Sequence, residues 1–260
     1  MRRALSALVP QAAKDALDRR ITARHVAAVA GPTGAYVAAH GTHVVHGPFA
    51  GMDYTPAVRW GTGDLVSKLT GTYELELRPA FERWVAQAPG VVIDVGSAEG
   101  YYAVGLARAL PRAKVYAFDI DAVARERCTA LAAANGVADR VEVLGECTPD
   151  ELGEMPATGV ALLADCEGYE RVLLDPRRAP KLVGWDIVVE LHEFADAAIA
   201  DDLVARFEAT HAIEICGQRP RTGDEAPELV MLSAAERRIV LDEHRPARMR
   251  WAVMRPRPAS

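Results

Sequence analysis

From residue 91 onward, short apolar runs typical of buried strands alternate with segments whose apolar residues recur at helical spacing. The predicted strands cover about 91–95, 113–118, 140–144, 158–164 and 185–191, and the predicted helices cover about 100–110, 121–135, 168–175 and 197–210. Strands that alternate with helices form parallel sheets covered on both faces. The pattern therefore predicts a doubly wound α/β fold with its ligand site at the carboxyl ends of the strands.

The flanking segments follow weaker patterns. Residues 1–39 are rich in alanine, with leucine and valine at helical spacing, and predict one or two short helices outside the sheet, serving as a cap or a dimerisation element. The other predicted elements are a short strand at 42–46, a helix at 72–88, a polar loop at 217–228, and sixth and seventh core strands at 213–215 and 248–254, before a tail at 255–258 that frays. We therefore expect an N-terminal helical cap over residues 1–70 and a main domain over residues 71–260.

The most informative stretch follows the first core strand. A β-branched run ends on Asp94, Gly96 makes a turn, and Gly100 opens a helix, which is the strand-loop-helix form that holds nucleotide-like cofactors. The next strand places Asp119 roughly 20 residues beyond the loop, the distance at which an acid meets ribose hydroxyls. The spacing predicts a bound ribose.

Dinucleotides and S-adenosylmethionine (SAM) both carry a ribose, and the chemistry of the loop separates them. A pyrophosphate needs close backbone approach, whereas Ala98 stands in place of the middle glycine of a dinucleotide loop. Glu99 places a carboxylate where a phosphate would lie at the helix N-terminus. A cationic sulfonium and an ammonium tolerate that charge, so the loop favours SAM, with a nicotinamide-dependent oxidoreductase as the alternative.

Composition narrows the class of protein further. The chain has 260 residues, half of them hydrophobic, which suffices for one sizeable α/β domain with an appendage. Its net charge of −6 and pI near 5.7 disfavour nucleic acid and anionic lipid as partners. Four widely spaced cysteines indicate reduced thiols, and no window is apolar enough for a signal peptide or a membrane span. We expect a cytoplasmic protein.

Four motifs in order resemble those of the class I SAM-dependent methyltransferases, and among them the FkbM-like family. They lie at residues 94–102, 116–119, 165–170 and 189–192. A Tyr73-Glu74 pair upstream of the first strand is also similar to one in the family, whereas Asp119-Ile120 departs from its usual Glu-Pro. The resemblance covers about residues 71–191 and implies a Rossmann-like, mostly parallel seven-stranded sheet. It also implies methyl transfer to oxygen or nitrogen of a small molecule or natural-product intermediate.

The loop and the matched motifs together predict a set of cofactor-binding residues. Gly145, Glu146 and Cys147 follow the third strand, where this fold usually contacts adenine, although they also suit an ordinary turn. The full predicted set is Tyr73, Glu74, Asp94, Gly96, Ser97, Ala98, Glu99, Gly100, Tyr101, Asp119, Ile120, Gly145, Glu146, Cys147 and Asp165.

Polar residues at the ends of two strands are the candidates for catalysis. Glu190 and His192 lie on one face of the fifth strand, and Asp165 ends the fourth. We expect the three to converge on the acceptor, where a histidine with a pKa of about 6.5 suits removal of an alcohol or amine proton. The same three residues are also the candidate ligands of a divalent cation that orients a hydroxyl. Glu167 is a better candidate for a ligand contact than Glu170, which is expected to interact with a helix dipole.

Other polar clusters carry weaker signals. In a strand, His43 points away from His40 and His46, so these histidines do not predict a metal site. The C-terminal arginines, which include Arg219, Arg221, Arg245 and Arg250, suit either an acidic substrate or a solvated face. The remaining alternatives are a non-catalytic SAM-binding partner protein and an RNA methyltransferase, the latter disfavoured by the acidic charge. A homodimer through the N-terminal cap is expected.

Overall fold

The computed structural model describes residues 11–55, 63–245 and 247–258. The described residues fall into two compact units, one formed by residues 11–41, 63–67 and 220–244, and the other by residues 42–55, 68–219, 245 and 247–258. The larger unit contains the sheet. Residues 220–244 belong with the N-terminal helix, a grouping that the sequence pattern did not indicate.

The strands of the described residues form one mostly parallel sheet in the order β3-β2-β1-β4-β5-β7-β6. Strand β7 runs opposite in direction to the other six. Their bounds are β1 (Val91–Val95), β2 (Lys114–Phe118), β3 (Val141–Leu144), β4 (Val160–Ala164), β5 (Asp186–Glu190), β6 (His211–Gly217) and β7 (Arg250–Pro256). The predicted doubly wound, seven-stranded α/β sheet is therefore confirmed.

Helices flank the sheet and connect its strands. The α-helices of the described residues are α1 (Gln11–His40), α2 (Leu65–Leu69), α3 (Arg78–Gln87), α4 (Tyr101–Ala109), α5 (Ala122–Ala134), α6 (Pro149–Glu154), α7 (Glu170–Leu173), α8 (Ile199–Phe207) and α9 (Ala234–Val240). Short 3₁₀ turns occupy Leu75–Leu77, Pro180–Gly184 and Pro227–Met231. None of these helices combines the length and apolar character that crossing a membrane requires.

The central strands owe their positions to continuous apolar sequence. Every residue of β4 is buried, as are four of the five in β1, which is the pattern of strands covered on both faces. The register pairs Val95 with Phe118 on one side and with Ala164 on the other. The carboxyl ends of β1, β2 and β4 are therefore level, so the residues that follow them share one edge of the sheet.

Several sequence expectations are wrong in detail at the flanks. Instead of one or two short helices, α1 is a single helix that continues through Pro32. Residues 42–46 form no strand but contribute an isolated bridge from His43 to Asp53. The helix expected over 72–88 begins only at Arg78, because Glu74 adopts a left-handed conformation with φ 42°.

The C-terminal region also differs from expectation. The strand predicted at 213–215 extends over His211–Gly217, and β7 continues to Pro256 within the tail predicted to fray. Antiparallel pairing that matches His211 with Pro256 explains both extensions, since each strand supplies hydrogen-bonding partners for the other. Helix α9 was not predicted, although Ser233 and Glu236 form a capping box at its start.

Gly96 lies where β1 ends and the backbone turns. Its φ is 83°, and a Cβ built at this position would lie 1.6 Å from the backbone oxygen of Asp165. No side chain fits between the loop and the end of β4. Glycine at this position therefore provides both the backbone conformation and the close approach.

We expect Gly96→Ala to destabilise the fold far more than Gly136→Ala. Gly136 also has a positive φ of 66°, but a Cβ there meets nothing within 4 Å, so its substitution costs only the backbone strain of about 1–2 kcal/mol. Urea denaturation of both variants measures the difference. Equal losses of unfolding free energy would show that the Gly96–Asp165 contact relaxes freely.

Candidate active site

The carboxyl edge of the sheet collects the predicted site residues. Asp94 lies near the end of β1, Asp119 directly after β2, Asp165 directly after β4, and Glu190 ends β5 just before His192. These strands are neighbours in the sheet. An open α/β sheet binds its ligands at this edge.

The segment 94–100, here called the cofactor loop, is held against β2. The backbone amides of Gly96 and Ser97 donate to the carbonyl oxygen of Phe118, at 2.8 and 3.0 Å. The amide of Ala98, a residue with φ 47°, donates to Oδ2 of Asp119 at 2.8 Å. Asp119 thus lies directly beside the loop, as the ribose prediction requires.

Two buried polar atoms of the cofactor loop have no hydrogen-bond partner within the part of the chain that the structure describes. They are Oδ2 of Asp94 and Oγ of Ser97, on residues that are 1% and 5% exposed. Burial, and next the nearby charge of Asp165, raise the pKa of Asp94 well above its usual range. Since unsatisfied buried polar atoms are rare, these two fit a ligand that carries both a donor and a positive charge.

The expected adenine region is only partly as predicted. Ile120 is 82% exposed beside Asp119, and Gly145 and Glu146 are exposed after β3. Cys147, in contrast, is buried in the hydrophobic core that contains Leu152 and Phe118. The side chain of Cys147 therefore packs away from the site, which corrects its assignment as a cofactor contact, while Ile120 offers an open apolar surface.

The prediction for Glu99 is wrong in its physical reason. Its carboxylate is buried and lies 2.7 Å from Nζ of Lys68, and it also accepts a hydrogen bond of 2.6 Å from the Tyr54 hydroxyl. The ammonium of Lys68 also lies over the ring of Tyr73, 4.9 Å from its centroid. Lys68 neutralises Glu99, so this charge does not discriminate between cofactors.

Tyr101 likewise has a packing role. It is 5% exposed, its hydroxyl donates to the backbone oxygen of Lys68 at 3.2 Å, and its ring meets Phe49 edge-on at 5.5 Å. Burial raises the pKa of its phenol. Internal contacts thus account for the orientation of Tyr101.

Arg245 joins the Tyr73-Glu74 pair to the strand ends. Its guanidinium contacts the Glu74 carboxylate, donates to the Tyr73 hydroxyl at 3.0 Å, and lies 3.2 Å from Oε1 of Glu190. Glu74 also accepts a hydrogen bond from the Tyr102 hydroxyl. Both carboxylates are buried, so Arg245 compensates their charge and does not present itself to an acidic substrate.

Asp165, Glu190 and His192 converge as expected. One potential ligand atom from each lies within 4.8 Å of those of the other two, and Nε2 of His192 is 3.4 Å from Oδ1 of Asp165. Burial, and next the charge of Asp165, raise the pKa of Glu190 well above its usual range. Burial, and next the charge of Glu74, raise the pKa of Asp165 to about 6.

The sequence did not indicate the role of Glu170 at this site. Its carboxylate is fully buried and lies 2.7 Å from Nδ1 of His192, while the amide of Cys166 donates to the same oxygen at 2.9 Å. Burial opposes the charged forms, but this bond lowers the pKa of Glu170 and, with the nearby carboxylates, raises the pKa of His192. A contact between residues 22 positions apart leaves no local sequence signal.

Other predicted polar clusters do not form sites. Among the described residues, the group of Asp165, Glu190 and His192 is the one that has ligand atoms close enough for a metal ion, so the histidines at 40–46 give none. Arg221 pairs with Glu243 at 3.0 Å, and Arg250 contacts Glu193 at 2.5 Å. These arginines therefore bind neighbouring acids of the protein.

Comparison with known proteins finds solved structures of low sequence identity. No family model matches the chain, and no curated protein matches it. Among solved structures, a putative O-methyltransferase from Klebsiella pneumoniae is 11% identical with a TM-score of 0.48, covering 70% of this chain and 80% of that one. The O-methyltransferase TomG from Streptomyces achromogenes, solved with SAM, is 16% identical with a TM-score of 0.46, covering 78% of this chain and 100% of that one.

A putative rRNA-methylase from Clostridium thermocellum is 12% identical with a TM-score of 0.47, covering 69% of this chain and 95% of that one. With identities of 11–16% and TM-scores below 0.5, these likenesses assign neither a family nor an activity. The fold is therefore defined by the strand order of this protein, with its reversed β7.

We expect Lys68→Met to cost about 3–5 kcal/mol of unfolding free energy, because it leaves the buried Glu99 carboxylate without its cation. The matched control is Lys114→Met, which removes the partly exposed pair with Glu142 and should cost at most about 1 kcal/mol. Adding Glu99→Leu to Lys68→Met should recover part of the loss. Denaturation curves of the variants test this, and similar losses for both single lysine variants would contradict it.

Proposed function

We propose that the protein is a SAM-dependent methyltransferase that acts on oxygen or nitrogen of a small molecule or natural-product intermediate, in the manner of the FkbM-like family. The observation that supports it most is the buried Asp94 of the cofactor loop, whose Oδ2 has no hydrogen-bond partner among the described residues, in a sheet with a reversed strand β7. Fold alone does not determine function, so the chemistry of this edge carries the proposal.

Negative charge at the edge favours a cationic cofactor over a dinucleotide. Lys68 neutralises Glu99, but the carboxyl groups of Asp94, Asp119 and Asp165 remain around the loop. Burial is the main cause of the raised pKa of Asp94, and repulsion from Asp165 and Asp119 raises that pKa further. A diphosphate would add to that repulsion, whereas a sulfonium and an ammonium relieve it.

Strand order is a second argument against the oxidoreductase. The dinucleotide-binding fold has the strand order 3-2-1-4-5-6 in an open, mostly parallel sheet. In this protein the antiparallel strand β7 is inserted between β5 and β6. The phosphate-binding loop also lacks its middle glycine, since Ala98 occupies that position.

The residues present fit SAM. Asp119 would hold the ribose hydroxyls, Ile120 and the exposed residues after β3 would line the adenine, and Asp94 and Ser97 would meet the polar amino-acid end. When bound, SAM supplies an activated methyl group. Alignment of the acceptor with that group is the main contribution required of the protein.

His192 is the proposed proton acceptor. Its Nδ1 is occupied by Glu170, and its Nε2 faces Asp165 and the 81%-exposed side chain of Glu167. A hydroxyl or amine bound at this edge would lose its proton to Nε2 as it accepts the methyl group. Asp165 and Glu190 are proposed to orient the acceptor by hydrogen bonds.

We expect Asp119→Ala to weaken SAM binding by at least about tenfold, because the ribose loses hydrogen bonds to a charged acceptor. The control is Asp139→Ala, an exposed acid before β3 that lies outside the proposed site. Calorimetric titration with SAM measures both, with thermal melting to check that Asp119→Ala is folded. Binding of NAD without binding of SAM by the unaltered protein would instead favour the oxidoreductase.

We expect methyl transfer to survive treatment with EDTA, and addition of magnesium or manganese to leave it unchanged. Glu190, one of the three candidate cation ligands, already contacts Arg245 through both carboxylate oxygens, at 3.2 and 3.5 Å. Activity lost on chelation and restored by either metal would establish the divalent-cation alternative. Binding of SAM with no turnover on any acceptor would favour the non-catalytic partner protein.

A further inference from the structure

We infer that Glu170 is a positioning residue that holds the His192 imidazole in its Nδ1-protonated tautomer and thereby turns the Nε2 lone pair toward the acceptor. The inference deepens the proposed function and rests on it for its catalytic meaning. Independently of catalysis, the neutral imidazole of His192 is expected to carry its proton on Nδ1.

Glu170 is itself rigidly held. Its side chain is fully buried, and Oε1 accepts from the backbone amide of Cys166 at 2.9 Å as well as facing Nδ1 of His192 at 2.7 Å. Cys166 immediately follows Asp165 at the end of β4, so the carboxylate is anchored to the same strand end as the site. A charge-assisted hydrogen bond in such a low-dielectric position is strong.

The carboxylates near Nε2 compete only weakly for the single ring proton of a neutral imidazole. Nε2 lies 3.4 Å from Oδ1 of Asp165 and 3.6 Å from Oε2 of Glu167, and both carboxylates are more exposed than Glu170. A neutral imidazole carries only one ring proton. The short, buried bond to Glu170 outweighs the two long contacts, so the proton stays on Nδ1.

The imidazole ring cannot easily rotate to exchange its two nitrogens. His192 is 2% exposed, and the ring of Phe194 packs against it edge-on at 5.6 Å. The backbone oxygen of His192 accepts hydrogen bonds from the amides of Ala195 and Asp196 at 2.9 and 3.0 Å. Burial and packing of the ring therefore keep Nε2 on the side of Asp165 and Glu167.

This arrangement specifies the path of the proton. A proton that leaves the oxygen or nitrogen of an acceptor would be taken up at Nε2, and the imidazolium formed would be stabilised by the Glu170 carboxylate. Glu170 is not expected to touch acceptor or cofactor. It acts through His192, in the way a buried carboxylate orients a catalytic histidine.

The test is ¹⁵N NMR of the imidazole of His192 in the full-length, ligand-free protein at alkaline pH, where the ring is neutral. We expect the unaltered protein to show predominantly the Nδ1-protonated form. Glu170→Gln should shift His192 to a mixture or to the Nε2-protonated form, because the neutral amide binds the Nδ1 proton less strongly and can donate to that nitrogen instead. Glu167→Gln is the matched control and should leave the tautomer unchanged.

An Nε2-protonated ring in the unaltered protein would overturn the inference, as would an unchanged tautomer in a folded Glu170→Gln. If that variant does not fold, the spectrum of the unaltered protein alone decides. The experiment needs neither cofactor nor acceptor. SAM titration of the same sample separately tests the proposed function, so failure of one is distinguishable from failure of the other.

Discussion

The contact between Gly96 and the backbone oxygen of Asp165 is the constraint on which the site depends. A glycine there allows the cofactor loop to turn sharply and to press against the end of β4. The two central strands then end level, and Asp94, Ser97 and Asp165 are brought to one edge. Any side chain at position 96 would separate the loop from the strand that carries Asp165.

Close packing of strand ends also concentrates carboxylates, and the protein compensates them unequally. Lys68 neutralises Glu99, Arg245 bridges Glu74 and Glu190, and His192 pairs with Glu170. Asp94 has no such partner cation among the described residues; burial, and next the charge of Asp165, raise its pKa. A cationic ligand is therefore most favoured beside Asp94, next to the ribose-binding candidate Asp119, because it would relieve the cost of ionising the buried carboxyl.

The contrast between Glu99 and Glu170 shows how position along the chain can mislead. Glu99 stands at the start of a helix in the cofactor loop, yet its side chain turns inward to Lys68. Glu170 stands in the first turn of another helix, yet its carboxylate crosses to His192. The helix dipole does not determine the direction of either carboxylate. A specific buried partner does, because a direct ion pair is stronger than an exposed dipole interaction.

Local sequence patterns were sufficient to predict the alternation of strands and helices, the cofactor loop, and the placement of Asp119, Asp165, Glu190 and His192 at strand ends. Those features follow from local periodicity and from the rule that parallel strands present their carboxyl ends together. Tertiary contacts were needed to show which acids are neutralised and by which partner, that Cys147 packs inside, and that the C-terminal segment forms β7 between β5 and β6. Ion pairs and antiparallel pairing between distant residues depend on side-chain directions in space, which no spacing along the chain encodes.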